Sequence, residues 1–134
     1  MADKIQSHGM SVTLESPEGA LLVEAYGDGG FRLMERRVEG SLFVRKEGFF
    51  PVNVAEFADL TPSHIDALVE EYGSPEILLI GTGLSMALLP KELRLHLEEL
   101  GIGYDVMSTG AAARTFNVLT IEGRDVAALL LQVP

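Results

Sequence analysis

Apolar and polar positions change rhythm about midway along the chain. In the first half, apolar residues come in short runs parted by glycine-containing turns. Ala20-Leu21-Leu22-Val23-Glu24-Ala25-Tyr26 and Phe31-Arg32-Leu33-Met34 flank Gly27-Asp28-Gly29-Gly30. Glycine reaches the positive φ angles of a tight reversal without a side-chain clash, so this pattern predicts a β-hairpin. Ser41-Leu42-Phe43-Val44 and Phe49-Phe50-Pro51-Val52 predict two more short strands. Pro51 has no N–H to give a ladder, which sets its strand at an edge or a bend. Arg36-Arg37, held between Glu35 and Glu39, reads as a solvated turn.

Beyond residue 60 the period lengthens. Thr61 is the N-cap of a helix and Pro62 its first residue, where the missing N–H has no partner to lose. Leu60 and Ile65 stand where a hydrophobic staple places them. Ile65, Leu68, Val69 and Tyr72 recur at i, i+3, i+4 and i+7 as one buried stripe, and Gly73 with Pro75 ends the helix. Glu76 to Ile80 reads as a strand, then Pro90 to Leu100 as a helix with Leu89, Leu93, Leu97 and Leu100 inward. Tyr104 to Met107 is the next strand. Thr109 to Glu122 is a third helix closed by Gly123, and Asp125 to Leu131 is a last strand. Strands alternating with helices over about 30 residues define βαβ units, with parallel strands and a right-handed crossover. The apolar runs Ile77 to Ile80 and Ala127 to Leu131 suit strands covered on both faces. The expected fold is α/β: a single domain with a mixed central sheet, N-terminal antiparallel strands, a C-terminal βαβαβ segment and three helices. The direction of the last strand stays open, because Gly123-Arg124 makes a very tight return.

Composition narrows this picture. With 134 residues, 47% of them apolar and 22% charged, the chain suffices for one domain with its own core. Residues 1–15 are polar and unpatterned and read as a loosely ordered arm, leaving 16–134 as the domain. The absence of cysteine excludes disulfides, thiolate catalysis, iron–sulfur clusters and cysteine-ligated zinc. A net charge of −10 repels nucleic acid and anionic membrane surfaces. No apolar stretch reaches the roughly 18 residues that span a bilayer, and Met1 to Met10 has no signal-type apolar core. The expectation is a cytoplasmic protein without membrane insertion.

Chemistry has one natural place in such a sheet. The strand ending at Ile80 runs into Gly81-Thr82-Gly83, and the one ending at Met107 runs into Ser108-Thr109-Gly110. If the strands are neighbours, both loops emerge outside the carboxyl ends of parallel strands, where open α/β sheets hold ligands. The first N–H groups of the third helix, capped by Ser108 or Thr109, are free there for an anion. The competing reading is that the glycines only turn the chain and Ser108 only caps.

More specific motifs fit poorly. Gly81-x-Gly83 follows a strand as a dinucleotide fingerprint does, but Met86 takes the third glycine position and Pro90 starts the helix too late. Gly83-Leu84-Ser85-Met86-Ala87 imitates a nucleophile elbow, yet Ala87 replaces the closing glycine and no helix begins there. His8, His64 and His96 are scattered without metal-ligand spacing. No metal and no cofactor is expected. On the third helix, Ala112, Phe116 and Leu119 form the inward stripe, while Arg114, Asn117 and Ile121 cluster on another side. Arg114 beside Asn117 is a candidate face for a carboxylate, a phosphate or a partner surface, against the alternative that Arg114 pairs with an acid and Asn117 faces water.

One further signal is collective. Ala25-Tyr26-Gly27, Gly30-Phe31, Gly40-Ser41-Leu42, Ile80-Gly81-Thr82-Gly83, Leu89-Pro90, Gly101-Ile102-Gly103, Val106-Met107-Ser108-Thr109, Ala111 to Leu119 and Glu122-Gly123-Arg124 occur in this order. Together they resemble a bacterial and archaeal domain family without assigned function, related to mitochondrial complex I assembly factor 3. The Arg114-Thr115-Phe116-Asn117 stretch is the most specific piece, and the match runs from about residue 20 to 133. The sequence departs from the family's pattern at Ser108, where aspartate is common, and at Leu84-Ser85-Met86, where basic or polar residues are frequent. The resemblance implies one α/β domain with a mixed sheet, no catalytic residues, and work done through protein partners, as in respiratory-complex assembly. The expected function is therefore a non-catalytic protein-binding, assembly-factor-like module. The alternative is a small-molecule or anion-binding protein, or a weak enzyme, using Gly81, Thr82, Gly83, Ser108, Thr109 and Gly110.

Overall fold

The structure is a computed structural model and describes residues 10–11 and 21–134. Its strands are β1 (Met10–Ser11), β2 (Val23–Gly27), β3 (Gly30–Leu33), β4 (Arg36–Glu39), β5 (Ser41–Arg45), β6 (Gly48–Val52), β7 (Ile77–Gly81), β8 (Gly103–Met107) and β9 (Val126–Leu130). The helices are α1 (Pro62–Tyr72), α2 (Lys91–Glu99) and α3 (Thr109–Ile121), with a short 3₁₀ turn at Phe57–Asp59.

The antiparallel strands divide between two sheets. β1 to β4 form a four-stranded antiparallel sheet, while β5 and β6 join the parallel strands in a five-stranded sheet of order β6-β5-β9-β7-β8. Within the second sheet β5 runs antiparallel to β6 and β9, and β7 is parallel to both β8 and β9. The last strand is thus parallel to β7. Its tight return works because Gly123 (φ 80°) closes α3 in a Schellman arrangement, with Gly123 N–H on the Thr120 carbonyl and Arg124 N–H on the Leu119 carbonyl. Pro51 lies on β6, an edge strand, as its missing donor requires. Of the arm expected over 1–15, Met10–Ser11 pairs with β2, and the rest lies outside the described residues.

Three expectations need correction. The central sheet does not hold all the N-terminal strands. Arg36–Glu39 is the edge strand β4, pairing Val38 with Phe31, rather than a solvated turn. Its residues are mostly exposed, so no apolar alternation marks it. Leu100 is 39% exposed rather than inward, because it is the C-cap of α2 and the helix ends before completing the turn that would bury it.

Period-2 alternation in β9 shows how the layers stack. Val126, Ala128 and Leu130 point to one core with Leu42, Leu79, Phe116 and the β2–β3 residues Val23, Phe31 and Leu33. Ala127, Leu129 and Leu131 point to the other, with Ile65, Leu93, Leu97 and Ile102. Helix α3 therefore lies between the two sheets, and α1 and α2 cover the opposite face. Arg45 ties these layers at one end. From β5 its guanidinium donates to the Tyr72 and Gly73 carbonyls closing α1, at 2.9 and 3.0 Å, and to Asp125 at 2.7 Å. A cation at a helix C-terminus satisfies orphan carbonyls and opposes the helix dipole.

Candidate functional site

The parallel strands bring the two predicted loops to one rim, where a hydrogen-bonded lattice joins them. Thr82 N–H donates to the Met107 carbonyl (2.9 Å) and Thr109 N–H to the Gly83 carbonyl (2.8 Å). The Thr109 hydroxyl accepts from Gly83 N–H (2.9 Å) and donates to the Leu131 carbonyl (2.7 Å), while Leu131 N–H donates to the Gly81 carbonyl (2.9 Å). One fully buried threonine thus joins the ends of β7 and β9 to the start of α3. The Thr82 hydroxyl donates to the Ser85 carbonyl (2.7 Å) and accepts from Ala87 N–H (3.0 Å), folding the next loop back on itself.

This lattice sorts the six residues by what they leave free. At Gly81 a Cβ would stand 2.8 Å from Thr109 Cα, and at Gly110 2.6 Å from Tyr26 Cζ, so both glycines permit close packing. Ser108 caps α3, its hydroxyl accepting from Ala111 N–H at 3.4 Å. Thr82 and Gly83 do border open space: a cavity of about 490 Å³ lined also by Gly29, Glu56, Phe57, Leu84 and residues 131–134. Ser108, Thr109 and Gly110 are not part of its wall. Among the described residues Glu56 is the one ionisable side chain on that wall, so an anion meets no described side-chain cation there. The walls at 55–57 and 131–134 went unmarked in the sequence, since neither segment carries a motif and only the sheet order brings them beside β7.

Arg114 and Asn117 separate. Arg114 is exposed, its Nη1 donates to the Tyr26 hydroxyl at 3.2 Å, and it makes no ion pair with an acid among the described residues. Asn117 is 1% exposed and both ends of its amide are spent on the backbone of Val23. The pair does not form one open face, because the small sheet covers the side of α3 that carries Asn117.

His64 Nδ1 accepts from the N-cap Thr61 N–H at 3.0 Å, and His96 Nε2 meets Asp66 at 2.7 Å between α2 and α1. His8 lies outside the described residues. Among the described residues no group of three or more His, Cys, Asp or Glu side chains is placed to hold a metal ion.

A different feature went unread in the sequence. The loop from β7 to α2 exposes Leu84 (73%), Met86 (56%) and Leu88 (83%), three large apolar side chains at alternate positions. The available signal was an apolar run between a glycine turn and Pro90 that is too short for an element. Exposed apolar residues in a cluster mark contact sites more often than scattered ones do.

Two sheets and three helices define a mixed α/β domain, and its candidate site lies at the carboxyl ends of the parallel strands. Residues 23–131 match the family described as "Protein of unknown function (DUF498/DUF598)", and the chain belongs to that family. An uncharacterized protein of Rhodobacter capsulatus is 41% identical over 116 residues, which is 87% of this chain and 88% of that protein. A crystal structure called an outer membrane protein from Bartonella henselae superposes with a TM-score of 0.78 at 44% identity, covering 87% of this chain and 98% of that one. The human NADH dehydrogenase [ubiquinone] 1 alpha subcomplex assembly factor 3 is 28% identical over 115 residues, 86% of this chain and 62% of the human protein. The family read from the sequence is the right one. Among the described residues, no helix is long and apolar enough to cross a membrane.

Proposed function

We propose that this protein is a non-catalytic, assembly-factor-like module that holds a partner protein through the loop between β7 and α2. The exposed Leu84, Met86 and Leu88 carry this reading. Their loop is pinned at its base by the Thr82 hydroxyl, so the side chains are presented from a held backbone and association orders little chain. Similarity to proteins named as NADH dehydrogenase subcomplex assembly factors supports an assembly-type role. As part of the same reading we assign the protein to the cytoplasm. Arg114 contributes as an exposed polar contact, whereas Asn117 supports the fold. Capture from native lysate by wild-type protein and by Leu84→Asp/Leu88→Asp tests the reading. Partners retained by wild type and lost by a variant of unchanged melting temperature are expected; equal recovery sinks it.

One observation favours a second reading, that the rim holds a small molecule: the cavity of about 490 Å³ lies within the range of about 300–1,000 Å³ typical of ligand sites. A saturating ligand at 100 times its dissociation constant adds about 2.7 kcal/mol to stability. Thermal-shift curves that stay flat across neutral, cationic and anionic metabolites remove this reading and leave docking.

A further inference from the structure

We propose that the rim receives an extended lysine- or arginine-bearing segment of the partner, with a bulky apolar residue seated beside Leu84. This deepens the docking reading and rests on it. Two cavities adjoin here: that of about 490 Å³, and one of about 340 Å³ lined by Gly40, Ser41, Asn53 and Val54; Ala55 and Gln132 border both. Two joined depressions suit a chain segment that places one side chain in each. The apolar contact comes from Leu84 and Phe57 on the first wall, and Met86 and Leu88 extend it along the loop.

Charge selects the segment's chemistry. Among the described residues, the ionisable side chains lining the two cavities are Glu39 and Glu56, and no Lys, Arg or His lines either one. Arg37 already pairs with Glu39. Glu56 is exposed and makes no ion pair among the described residues, which leaves its carboxylate for an incoming cation. The net charge of −10 draws basic segments from a distance, and Glu56 beside the apolar wall sets where they settle.

Fluorescence anisotropy on the full chain tests this with a labelled peptide of sequence Gly-Lys-Leu-Lys-Phe-Lys-Gly and its counterpart with glutamate for lysine. Saturable binding of the basic peptide alone is expected. Glu56→Lys weakens it about fivefold and the uncharged Leu84→Ser about tenfold, whereas Glu70→Lys, an equal charge change on α1, weakens it less than about twofold. Both site changes are at exposed positions, and matched melting curves establish that the fold is intact. Equal losses from Glu56→Lys and Glu70→Lys reveal only general attraction and overturn the proposal, as does absent binding or a preference for the acidic peptide. If the peptide fails while Leu84→Asp/Leu88→Asp still releases captured proteins, docking stands and the basic-segment chemistry falls.

Discussion

Asn117 and Val23 hold each other across 94 residues of sequence: the side-chain Nδ2 donates to the Val23 carbonyl and Oδ1 accepts from the Val23 N–H, each at 2.9 Å. A primary amide carries the same donor and acceptor as a peptide unit, so Asn117 gives β2 one residue's worth of neighbouring strand. The contact lies in the otherwise apolar layer between α3 and the small sheet. It fixes the position of α3 on β2, since any slip leaves two buried backbone groups without partners.

Replacing Asn117 by Leu keeps the volume roughly constant and strands both groups of Val23. We expect a loss of about 2–4 kcal/mol, read as a fall in melting temperature on the order of 10 °C. Asn117→Asp keeps the acceptor, sets an anionic oxygen against the Val23 carbonyl, and loses at least as much. An unchanged melting curve for either variant contradicts the role given to this amide.

Gly110→Ala tests the packing of Tyr26 against the first turn of α3. The added methyl would lie 2.6 Å from Tyr26 Cζ and closer still to Oη, so the ring must leave and surrender its bond from Arg114. Overpacking of this kind costs about 1–3 kcal/mol. Chemical denaturation followed by circular dichroism measures it, and a midpoint equal to wild type refutes the close approach.

The two hairpin turns of the small sheet differ in chemistry. Asp28 and Gly29 (φ 51° and 79°) carry the left-handed pair with the residue types such a turn prefers, but Met34 and Glu35 (φ 50° and 60°) do so without glycine or asparagine. Met34→Asn/Glu35→Gly relieves that strain and is expected to stabilise the protein by about 1 kcal/mol. A lower denaturation midpoint for the double variant runs against this account.

Strand β8 is an edge, and Met107 turns its carbonyl toward β7, so Val106 one residue earlier turns its N–H to the open side. Asp105 Oδ1 accepts that N–H at 2.9 Å, occupying a donor that another strand would otherwise take. Asp105→Ala is expected to self-associate with rising concentration in sedimentation velocity, while wild type under the same conditions does so less. Identical profiles mean the aspartate does not guard the edge.

Sequence reading succeeded where the deciding forces act along the chain. Thr61-Pro62, Gly73, Gly123 and the apolar stripes act within a turn or two, so three helices, seven of the strands and their alternation followed from local pattern. The meeting of Gly81-Thr82-Gly83 with Ser108-Thr109-Gly110 followed as well, because parallel strands in a βαβ unit must deliver their ends to one side. Strand β4 left no mark, since it is an edge strand that turns only Val38 toward the core and so shows no apolar alternation.

By itself, then, the sequence determined the helices, the main strands, the family and the rim on which a site would sit. Tertiary structure alone decided which of those residues stay available. A second sheet packed on α3 widens its buried arc beyond one stripe, taking in Asn117 and leaving Arg114 outside. Burial by a distant partner is a property of the pair of surfaces, and a helix carries no local record of how many neighbours will cover it.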